Sequence, residues 1–291
     1  MPLPADPDEA PPQPGGRGLP PPSLPGRGWR AGTTRPEAPD HRLEQDLAYA
    51  LEQGQLTLHY QPRVRLTTRL PIGAEALARW PHRRRGMVPP VVFIPMAERM
   101  GLITQLGGWA LSTACIEATR WPAPAVVSVN VSALQLAEGC LLRQVRAALD
   151  ESGLAPERLE IELTESMLVD AGIETLLTLS AVRDLGVGIA LDDFGTGYAS
   201  LAALKRLPLT QLKLDRSLIR GVPRHREDSA IAGALVATGH ALDLSIVAEG
   251  VECEAQCRFL CEIGCEQGQS FFLGHPVPAE RLRQNLIGAI G

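Results

Sequence analysis

The sequence lacks several features that mark other classes of protein. No apolar run approaches the ~20 residues that a membrane-spanning helix needs, and the N-terminus does not show the basic-then-apolar order of a signal peptide. We therefore expect a cytoplasmic protein without a membrane span. Positive charge is not in excess, with 28 Lys and Arg against 33 Asp and Glu, and the aromatic residues are not interleaved with basic clusters. A nucleic-acid polymer is therefore not an expected partner.

Cysteine is sparse, with six residues in a chain of 291. Six thiols do not form the dense framework of a small secreted domain, so we expect them to be reduced. Cys253, Cys257, Cys261 and Cys265 recur at every fourth position, which suggests a zinc site. On one helix, however, these positions span ~18 Å, too far for four sulfurs to lie about 2.3 Å from one ion. We expect small packing residues on one helix face.

Residues 1–40 differ in composition from the rest of the chain. They hold twelve of the 25 prolines and six glycines, and they show no apolar period. Such a segment cannot bury enough surface to offset its ordering entropy, so we predict a disordered tail. It is either a tether that binds a partner or an inert leader. We predict one folded domain over residues 41–291.

Acidic and amide side chains end a series of short apolar runs. Ile189-Ala190-Leu191 precedes Asp192 and Asp193, and Ile246-Val247-Ala248 precedes Glu249. Such runs, separated by helical stretches, are typical of parallel strands in βα units. We therefore predict an α/β protein with a TIM-like (β/α)8 barrel. We further expect its first strand to be irregular and antiparallel. The C-terminal strand ends of such a barrel converge on one face, which would gather Glu75, Asn130, Glu162, Asp192, Asp193, Lys213, Glu249 and Gln269.

This number of carboxylates predicts a metal site. Like charges cannot share a small space unless cations neutralise them. Hard divalent ions prefer oxygen ligands, and carboxylates and the Asn amide supply only oxygen. Adjacent Asp192 and Asp193 suit the bridging position of a two-metal site about 3.5–4 Å across.

Several motifs together resemble one known family, the EAL-domain phosphodiesterases of bacterial cyclic di-GMP signalling. The resemblance runs from about residue 43 to about residue 284, in order and with ordinary spacing. The motifs that carry it are Tyr60-Gln61-Pro62, Glu75-Ala76-Leu77-Ala78-Arg79-Trp80, Phe93-Ile94-Pro95, Asn130-Val131-Ser132, Glu162-Leu163-Thr164-Glu165, Asp192-Asp193-Phe194-Gly195-Thr196-Gly197-Tyr198, Lys213-Leu214-Asp215-Arg216 and Ala248-Glu249-Gly250-Val251-Glu252.

The resemblance implies hydrolysis of one phosphodiester bond of cyclic di-GMP to linear pGpG, with two Mg²⁺ or Mn²⁺ ions per active site. The implied metal ligands are Glu75, Asn130, Glu162, Asp192, Asp193 and Glu249. Glu249 is either a ligand or a general base, and Asp193 is implied to take part in catalysis. Lys213 would orient the attacking water or offset phosphoryl charge. Gln61, Arg79 and Gln269 are implied to contact the substrate.

A second group of residues would support the site. In the resembled family, Glu165 steadies a loop over the metals that here comprises Phe194, Gly195, Thr196 and Gly197. That loop also reaches a dimer interface in the family, so we expect a homodimer. Asp215 and Glu252 are further supporting candidates, and Asp215 would hold Lys213.

Two alternatives to catalysis stay open. Some relatives have lost ligands and act as cyclic di-GMP receptors, and an unrelated metal-dependent phosphohydrolase would need similar donors. The ligand set is intact in this sequence, which favours catalysis. Ala199, Ser270 and Arg65 depart from the family pattern without removing a ligand, although Ser270 puts the rate in question. A GGDEF or sensor protein is a possible partner, because the helix before Tyr60 resembles the junction that follows a GGDEF domain.

Overall fold

The computed structural model describes residues 40–168, 172–195 and 204–288, so residues 1–39 of the predicted tail lie outside the described residues. Its strands are β1 (Thr57–Arg65), β2 (Pro71–His82), β3 (Gly86–Val88), β4 (Val126–Asn130), β5 (Leu159–Thr164), β6 (Gly188–Phe194), β7 (Gln211–Leu214), β8 (Ser245–Glu249), β9 (Gln267–Gln269) and β10 (Val277–Pro278). Its α-helices are α1 (His41–Glu52), α2 (Pro90–Arg99), α3 (Ile103–Ala118), α4 (Ala133–Ala137), α5 (Leu141–Ser152), α6 (Ile173–Asp184), α7 (Arg216–Ile219), α8 (Arg226–Ala241), α9 (Glu254–Glu262) and α10 (Ala279–Gly288). Short 3-10 helices lie at Pro156–Arg158 and Glu165–Leu168.

Eight of these strands close into a barrel. From β2 through β4, β5, β6, β7 and β8 to β9, each strand pairs in parallel with the next. β1 closes the ring by pairing antiparallel with both β2 and β9. The hairpin strand β3 extends β2, and β10 adds to β1. The predicted (β/α)8 barrel with an antiparallel first strand is confirmed.

The reversed first strand follows from the length of its connection to β2. Only residues 66–70 join the two strands, whereas a parallel crossover needs a dozen or more residues. Arg69 completes the tight connection with a left-handed φ of 61°. Longer connections with helices follow β4, β5, β7 and β8, and these allow the parallel pairing that aligns their C-terminal ends on one face.

Strand β5 shows how side chains are divided between the two faces of the barrel wall. Leu159, Ile161 and Leu163 are fully buried in the main apolar core. Glu160 and Glu162 alternate with them and therefore lie on the other face, in the barrel interior. Both faces of the strand are covered, so apolar and acidic residues are buried side by side.

A second apolar core packs α1 and α2 against the outer part of β2. It contains Leu47 of α1, Trp80 of β2 and Phe93 of α2, and the Trp80 and Phe93 rings meet edge to face at 6.0 Å. Asp40 caps α1, because its Oδ1 accepts a hydrogen bond from the Leu43 backbone N–H at 3.1 Å. None of the helices in the described ranges is long and apolar enough to cross a bilayer.

The cysteine series does not lie on one helix. Cys257 and Cys261 are in α9, but Cys253 is its N-cap and Cys265 follows its C-terminal end. The helix stops because Gly264 turns the chain with a φ of 89°. Cys265 is then buried, with its Sγ near the Ile246 carbonyl at 3.7 Å. The expectation of a single helix face is therefore wrong for two of the four residues.

Candidate active site

The strand register brings the predicted acidic and amide residues to one end of the barrel. Asn130, the last residue of β4, pairs with Glu162, which lies two residues before the C-terminal end of β5. Glu249 pairs with Gln269 across β8 and β9 in the same way. Because parallel strands end at a common face, residues far apart in the chain become neighbours there.

Lys213 lies at the centre of the carboxylate cluster. Its Nζ is 2.8 Å from Glu162 Oε2, 2.9 Å from Glu249 Oε1 and 3.1 Å from Asp192 Oδ1. Glu75 Oε2 lies farther away, at 3.7 Å. The lysine is fully buried, and a buried ammonium is tolerated only when acidic partners surround it. One ammonium can balance the charge of only one of the four carboxylates, so the cluster has the capacity for further cations.

The pKa values reflect this excess of acidic groups. Burial, reinforced by the nearby Glu162 carboxylate, raises the pKa of Glu75 to about 7. Burial also raises the pKa of Glu249 to about 8, although Lys213 opposes that shift. For Glu162, burial acts in the same direction, but the Lys213 ammonium outweighs it and holds the pKa below its ordinary value. The same carboxylates outweigh burial at Lys213 and hold its pKa well above the ordinary value.

Two amide side chains hold Glu75 in place. Asn130 Nδ2 donates to Glu75 Oε1 at 2.6 Å, and Gln269 Nε2 donates to Glu75 Oε2 at 2.5 Å. Gln61 is directly opposite Glu75 in the β1–β2 pairing. Hydrogen bonds to a carboxylate stabilise its ionised form and fix its orientation. Glu75 is therefore held by an amide from the adjacent strand β4 and by another from β9, which lies on the far side of β1.

Asp193 sits on an irregularity at the end of β6. The β6–β7 register shifts between Leu191 and Phe194, and Asp193 has a left-handed φ of 56°. Its backbone N–H donates to Asp192 Oδ1 at 3.0 Å. A bulge of this kind interrupts the strict alternation of a strand. Two consecutive carboxylates can therefore both contribute to the same site.

The donor set fits a divalent cation of the Mg²⁺ or Mn²⁺ type. One oxygen each from Asp192, Asp193 and Glu249 lies within 4.8 Å of the others, the spacing of ligands around one ion. Glu162 Oε1 is buried and has no hydrogen-bond partner. Leaving such an oxygen unsatisfied is costly, and coordination would satisfy it. All of these donors are oxygens, the type that hard cations prefer.

A cavity of about 690 Å³ opens beside this cluster. Glu75, Asp192, Glu249, Gln61 and Gln269 contribute to its wall, as the sequence predicts for residues of one site. Asn130 instead lines a neighbouring cavity of about 440 Å³. The space is large enough for a ligand of drug-like or dinucleotide size.

Sequence reasoning gave no role to several side chains of the cavity wall. Arg216 directly follows Asp215, and Phe271, Phe272 and His275 follow Gln269. The Phe271 and His275 rings are stacked with centroids 4.7 Å apart, and the two phenylalanines are 65% and 51% exposed. Aromatic residues make up only 4% of the chain. Two of them in a row directly after a strand-end amide could therefore have indicated a contribution to the site.

Arg79 is placed less directly than predicted. It lies four residues after Glu75 on β2, so both side chains are on the same face of the strand. Its Nη1 donates to the carbonyl of Ala78 at 2.9 Å. Burial lowers the pKa of Arg79, while Glu75 opposes the shift. Among the described residues, those that line the cavity do not include Arg79.

The supporting residues fall into three positions. Glu165 Oε2 accepts a hydrogen bond from the Gly195 backbone N–H at 3.1 Å, at the point where β6 leaves the barrel. Asp215 caps α7 by accepting from the Ser217 N–H at 2.9 Å, whereas we expected it to hold Lys213. Glu252 lines the 690 Å³ cavity. Phe194 is buried at the end of β6, and Thr196 and Gly197 lie outside the described residues.

A family model for the EAL domain matches residues 44–276. The chain belongs to the EAL domain family. This match covers the whole barrel from α1 to the segment just before β10. The membership expected from the motifs is therefore confirmed.

Curated relatives carry related names. The bifunctional diguanylate cyclase/cyclic di-GMP phosphodiesterase MucR of Pseudomonas aeruginosa is 47% identical over 245 residues, which cover 83% of this chain and 36% of MucR. The cyclic di-GMP phosphodiesterase NbdA of the same organism is 41% identical over 249 residues, covering 84% of this chain and 32% of NbdA. This chain therefore spans about a third of the length of these relatives.

Solved structures of EAL domains have the same fold. The structure of the MucR phosphodiesterase in complex with c-di-GMP matches with a TM-score of 0.77 and 47% identity, over 83% of this chain and 99% of that one. The EAL domain of DcpA from Mycobacterium smegmatis matches with a TM-score of 0.69 and 35% identity, over 80% and 98% of the two chains.

Proposed function

We propose that this chain hydrolyses one phosphodiester bond of cyclic di-GMP and releases linear pGpG, in a reaction that depends on Mg²⁺ or Mn²⁺. The observation that carries the proposal is the ring of four carboxylates around buried Lys213 at the C-terminal face of the barrel. The names of MucR and NbdA support the same substrate and the same reaction.

Two cations per site would be held by the oxygen donors at the strand ends. When bound, such cations polarise a phosphoryl oxygen and lower the pKa of water near them. The residues proposed to hold them are Glu75, Asn130, Glu162, Asp192, Asp193 and Glu249. A shared set of this kind explains why acidic side chains are placed so close together, since cations offset their mutual repulsion.

Lys213 and Glu249 are the residues that we assign to the chemical step. Lys213 Nζ is a buried, permanently charged donor, suited to orient a water molecule and to offset charge that develops on the phosphoryl group. Glu249 Oε1 lies 2.9 Å from Lys213 Nζ, and Glu249 is either a cation ligand or the general base that accepts a proton from the attacking water. Asp193 projects from the bulge beside both and would orient the same water.

The substrate would occupy the 690 Å³ cavity. Gln61 and Gln269 offer amide hydrogen bonds from its wall. Arg79 lies outside that wall but on the same face of β2 as Glu75, and we propose that it reaches a substrate phosphate, because a guanidinium can bind two phosphate oxygens at once. The exposed rings of Phe271 and Phe272 offer flat apolar surface on which a guanine base can stack.

Partners and location belong to the same proposal. Because MucR is much longer than this chain and is named bifunctional, we propose that a GGDEF or sensor domain controls the barrel, on the same polypeptide or on another. We also propose a homodimer, a cytoplasmic location and a tail, ending before Asp40, that is either a tether for a partner or an inert leader. Glu165 would relay such control, because it holds the backbone of Gly195 at the end of β6.

A turnover assay tests the central proposal. Full-length protein is incubated with cyclic di-GMP, with and without Mn²⁺, and pGpG is quantified by chromatography. We expect Mn²⁺-dependent product from the wild type and a loss of several orders of magnitude in Glu75→Gln and Asp192→Asn. Exposed Glu52 on α1 supplies the matched control, Glu52→Gln, which should retain full activity. Tight binding of cyclic di-GMP without turnover in either metal would instead establish a receptor.

A further inference from the structure

A second layer of polar side chains lies beneath the candidate cation site. Glu160 precedes Glu162 by two residues on β5, and Gln211 precedes Lys213 by two residues on β7. Alternate residues of a strand share a face, so these side chains point into the same barrel interior, one layer closer to its N-terminal end. Both are buried. The backbones of β5 and β7 therefore connect this layer directly to Glu162 and Lys213 of the site.

Arg63 reaches this layer from the other side of the barrel. Arg63 lies on β1, and β1 pairs with strands on its own side of the barrel, including β2 and β9. The two side chains that Arg63 contacts lie on β5 and β7. Its Nη1 donates to Glu160 Oε1 and to Gln211 Oε1, both at 2.5 Å. Between those partner strands, β6 carries Gly188, where a Cβ would lie only 3.3 Å from the Glu160 Cγ. A glycine at this position leaves room for the cross-barrel contact.

Apolar packing does not fill the barrel at this level. A cavity of about 720 Å³ opens at the N-terminal face, and Arg63, Glu160 and Gln211 are part of its lining. Small barrels usually fix the spacing of opposite strands with layers of bulky interior side chains. Here the hydrogen bonds of Arg63 connect β1 to β5 and β7 where such a layer would lie.

Arg63 is also close enough to the site to affect it. Arg63 and Lys213 are the two buried Arg or Lys side chains among the described residues. Burial acts to lower the pKa of Arg63, but Glu160, and beyond it Glu162 and Glu75, outweigh burial and raise it. The guanidinium is therefore within electrostatic reach of two proposed cation ligands, although it contacts neither directly.

We propose that Arg63 is a positioning residue for the divalent-cation site. By connecting β1 to β5 and β7, it sets the distance between Glu75 on one side of the site and Glu162 with Lys213 on the other. The inference rests on the proposed function in one respect, namely that cations bind at these carboxylates. Arg63 itself touches neither substrate nor cation.

Titration of the metal-free, full-length protein with Mn²⁺, followed by calorimetry, tests this inference. Arg63→Met should lower the Mn²⁺ affinity by about tenfold, the lower end of the range for residues that orient metal ligands. Gln211→Met removes the Arg63 contact and the hydrogen bond from Gln211 Nε2 to Ser245 Oγ, but it leaves no charge unpaired and should lower the affinity by a smaller factor. The Mn²⁺ concentration for half-maximal hydrolysis should rise in parallel, with the substrate KM unchanged.

The sign of the change distinguishes positioning from charge. Loss of a positive charge near the site would by itself strengthen Mn²⁺ binding, so an increase in affinity in Arg63→Met would overturn the inference. Leu141 lies on α5 and is buried in the main apolar core. Leu141→Ala is therefore the control for general destabilisation and should leave Mn²⁺ affinity unchanged. An equal loss of affinity in that control would also overturn it.

Two further outcomes separate this inference from the proposed function. If Arg63→Met does not fold, Gln211→Met carries the test, and wild-type Mn²⁺ affinity in that variant refutes the positioning role. A wild-type protein that binds no Mn²⁺ refutes the proposed function itself. Wild-type Mn²⁺ binding combined with unchanged variants refutes only the role of Arg63.

Discussion

Lys213 Nζ and Glu162 Oε2 lie 2.8 Å apart in the barrel interior, with side chains that are 1% and 0% exposed. Burying two charges has a large desolvation cost, which mutual attraction offsets only when the remaining polar atoms are also satisfied. The second oxygen of Glu162 has no hydrogen-bond partner. The pair is therefore better suited to receive another cation than to stabilise the fold by itself.

Lys213→Met should abolish turnover and make the fold depend on a bound cation. Removal of one partner from a buried ion pair costs about 3–5 kcal/mol, because the carboxylates around Lys213 lose the positive charge that contacts them directly. We expect a lower Tm for the metal-free variant near neutral pH and a larger Mn²⁺-induced rise than in the wild type. Thermal unfolding with and without Mn²⁺ measures both. Exposed Lys205 gives the control Lys205→Met, and equal stability of the two metal-free variants would contradict the prediction.

The raised pKa values of Glu75 and Glu249 predict a pH-dependent stability of the metal-free protein. In the folded state their pKa values are about 7 and about 8, above the ordinary 4.5. Between the ordinary and the folded pKa of each group, the folded state therefore binds more protons than the unfolded state. The stability that this extra proton binding contributes is fully present below the unfolded pKa, and it is lost as pH rises through the folded pKa.

Cations should reverse this loss of stability. Cation binding favours the ionised carboxylates, so the Mn²⁺-induced increase in Tm should grow between about pH 5 and about pH 8. Thermal unfolding across that range measures the effect. Glu249→Gln removes one of the titrating groups and should reduce the slope. A Mn²⁺ effect that is independent of pH would refute the linkage.

Gly195→Ala should impair both stability and hydrolysis. Gly195 has a φ of 104°, which is strained for any other residue, and an added Cβ would lie 2.4 Å from Leu218 Cδ1. Strain of this kind costs about 1–3 kcal/mol, and it would displace the N–H that donates to Glu165. Urea unfolding with Mn²⁺ present measures the cost.

Two matched variants identify the cause at Gly195. Leu218→Ala combined with Gly195→Ala removes the steric overlap but not the backbone strain, so it should recover only part of the stability. Gly172→Ala is the control for a substitution without steric overlap or left-handed strain, because Gly172, the N-cap of α6, has a φ of −72° and no atom within 4 Å of its Cβ position. Full recovery in the double variant would show that the overlap alone is responsible.

A protein that starts at Asp40 should fold and hydrolyse the substrate like the full chain. The removed residues lack an apolar period, while Asp40 and its cap on α1 remain. A start at His41 removes the cap and should cost about 1 kcal/mol. Melting temperatures and turnover of both truncations test this. A loss of most activity at the Asp40 start would show that the tail contributes to the active barrel.

The fold and the acidic side of the site were predictable because they depend on local pattern. Asp192 and Glu249 follow apolar runs, and strand ends in a barrel converge whatever the intervening loops contain. Asp215 follows Lys213 closely in sequence, which suggested a contact between the two, and its supporting role in the site stays a prediction. The structure shows that it is the N-cap of α7, a role that Asp commonly takes.

The amino-acid sequence by itself determined the barrel, the reversed first strand and the order in which carboxylates arrive at its face, because strand period and connection length are properties of neighbouring residues. Only the tertiary structure decided which side chains meet across the barrel. Arg63 contacts Glu160 and Gln211, which are 97 and 148 residues away in the chain. A sequence pattern over neighbouring residues cannot predict contacts at such a separation. Burial likewise decided the pKa of Glu249, since desolvation depends on every element that covers the group.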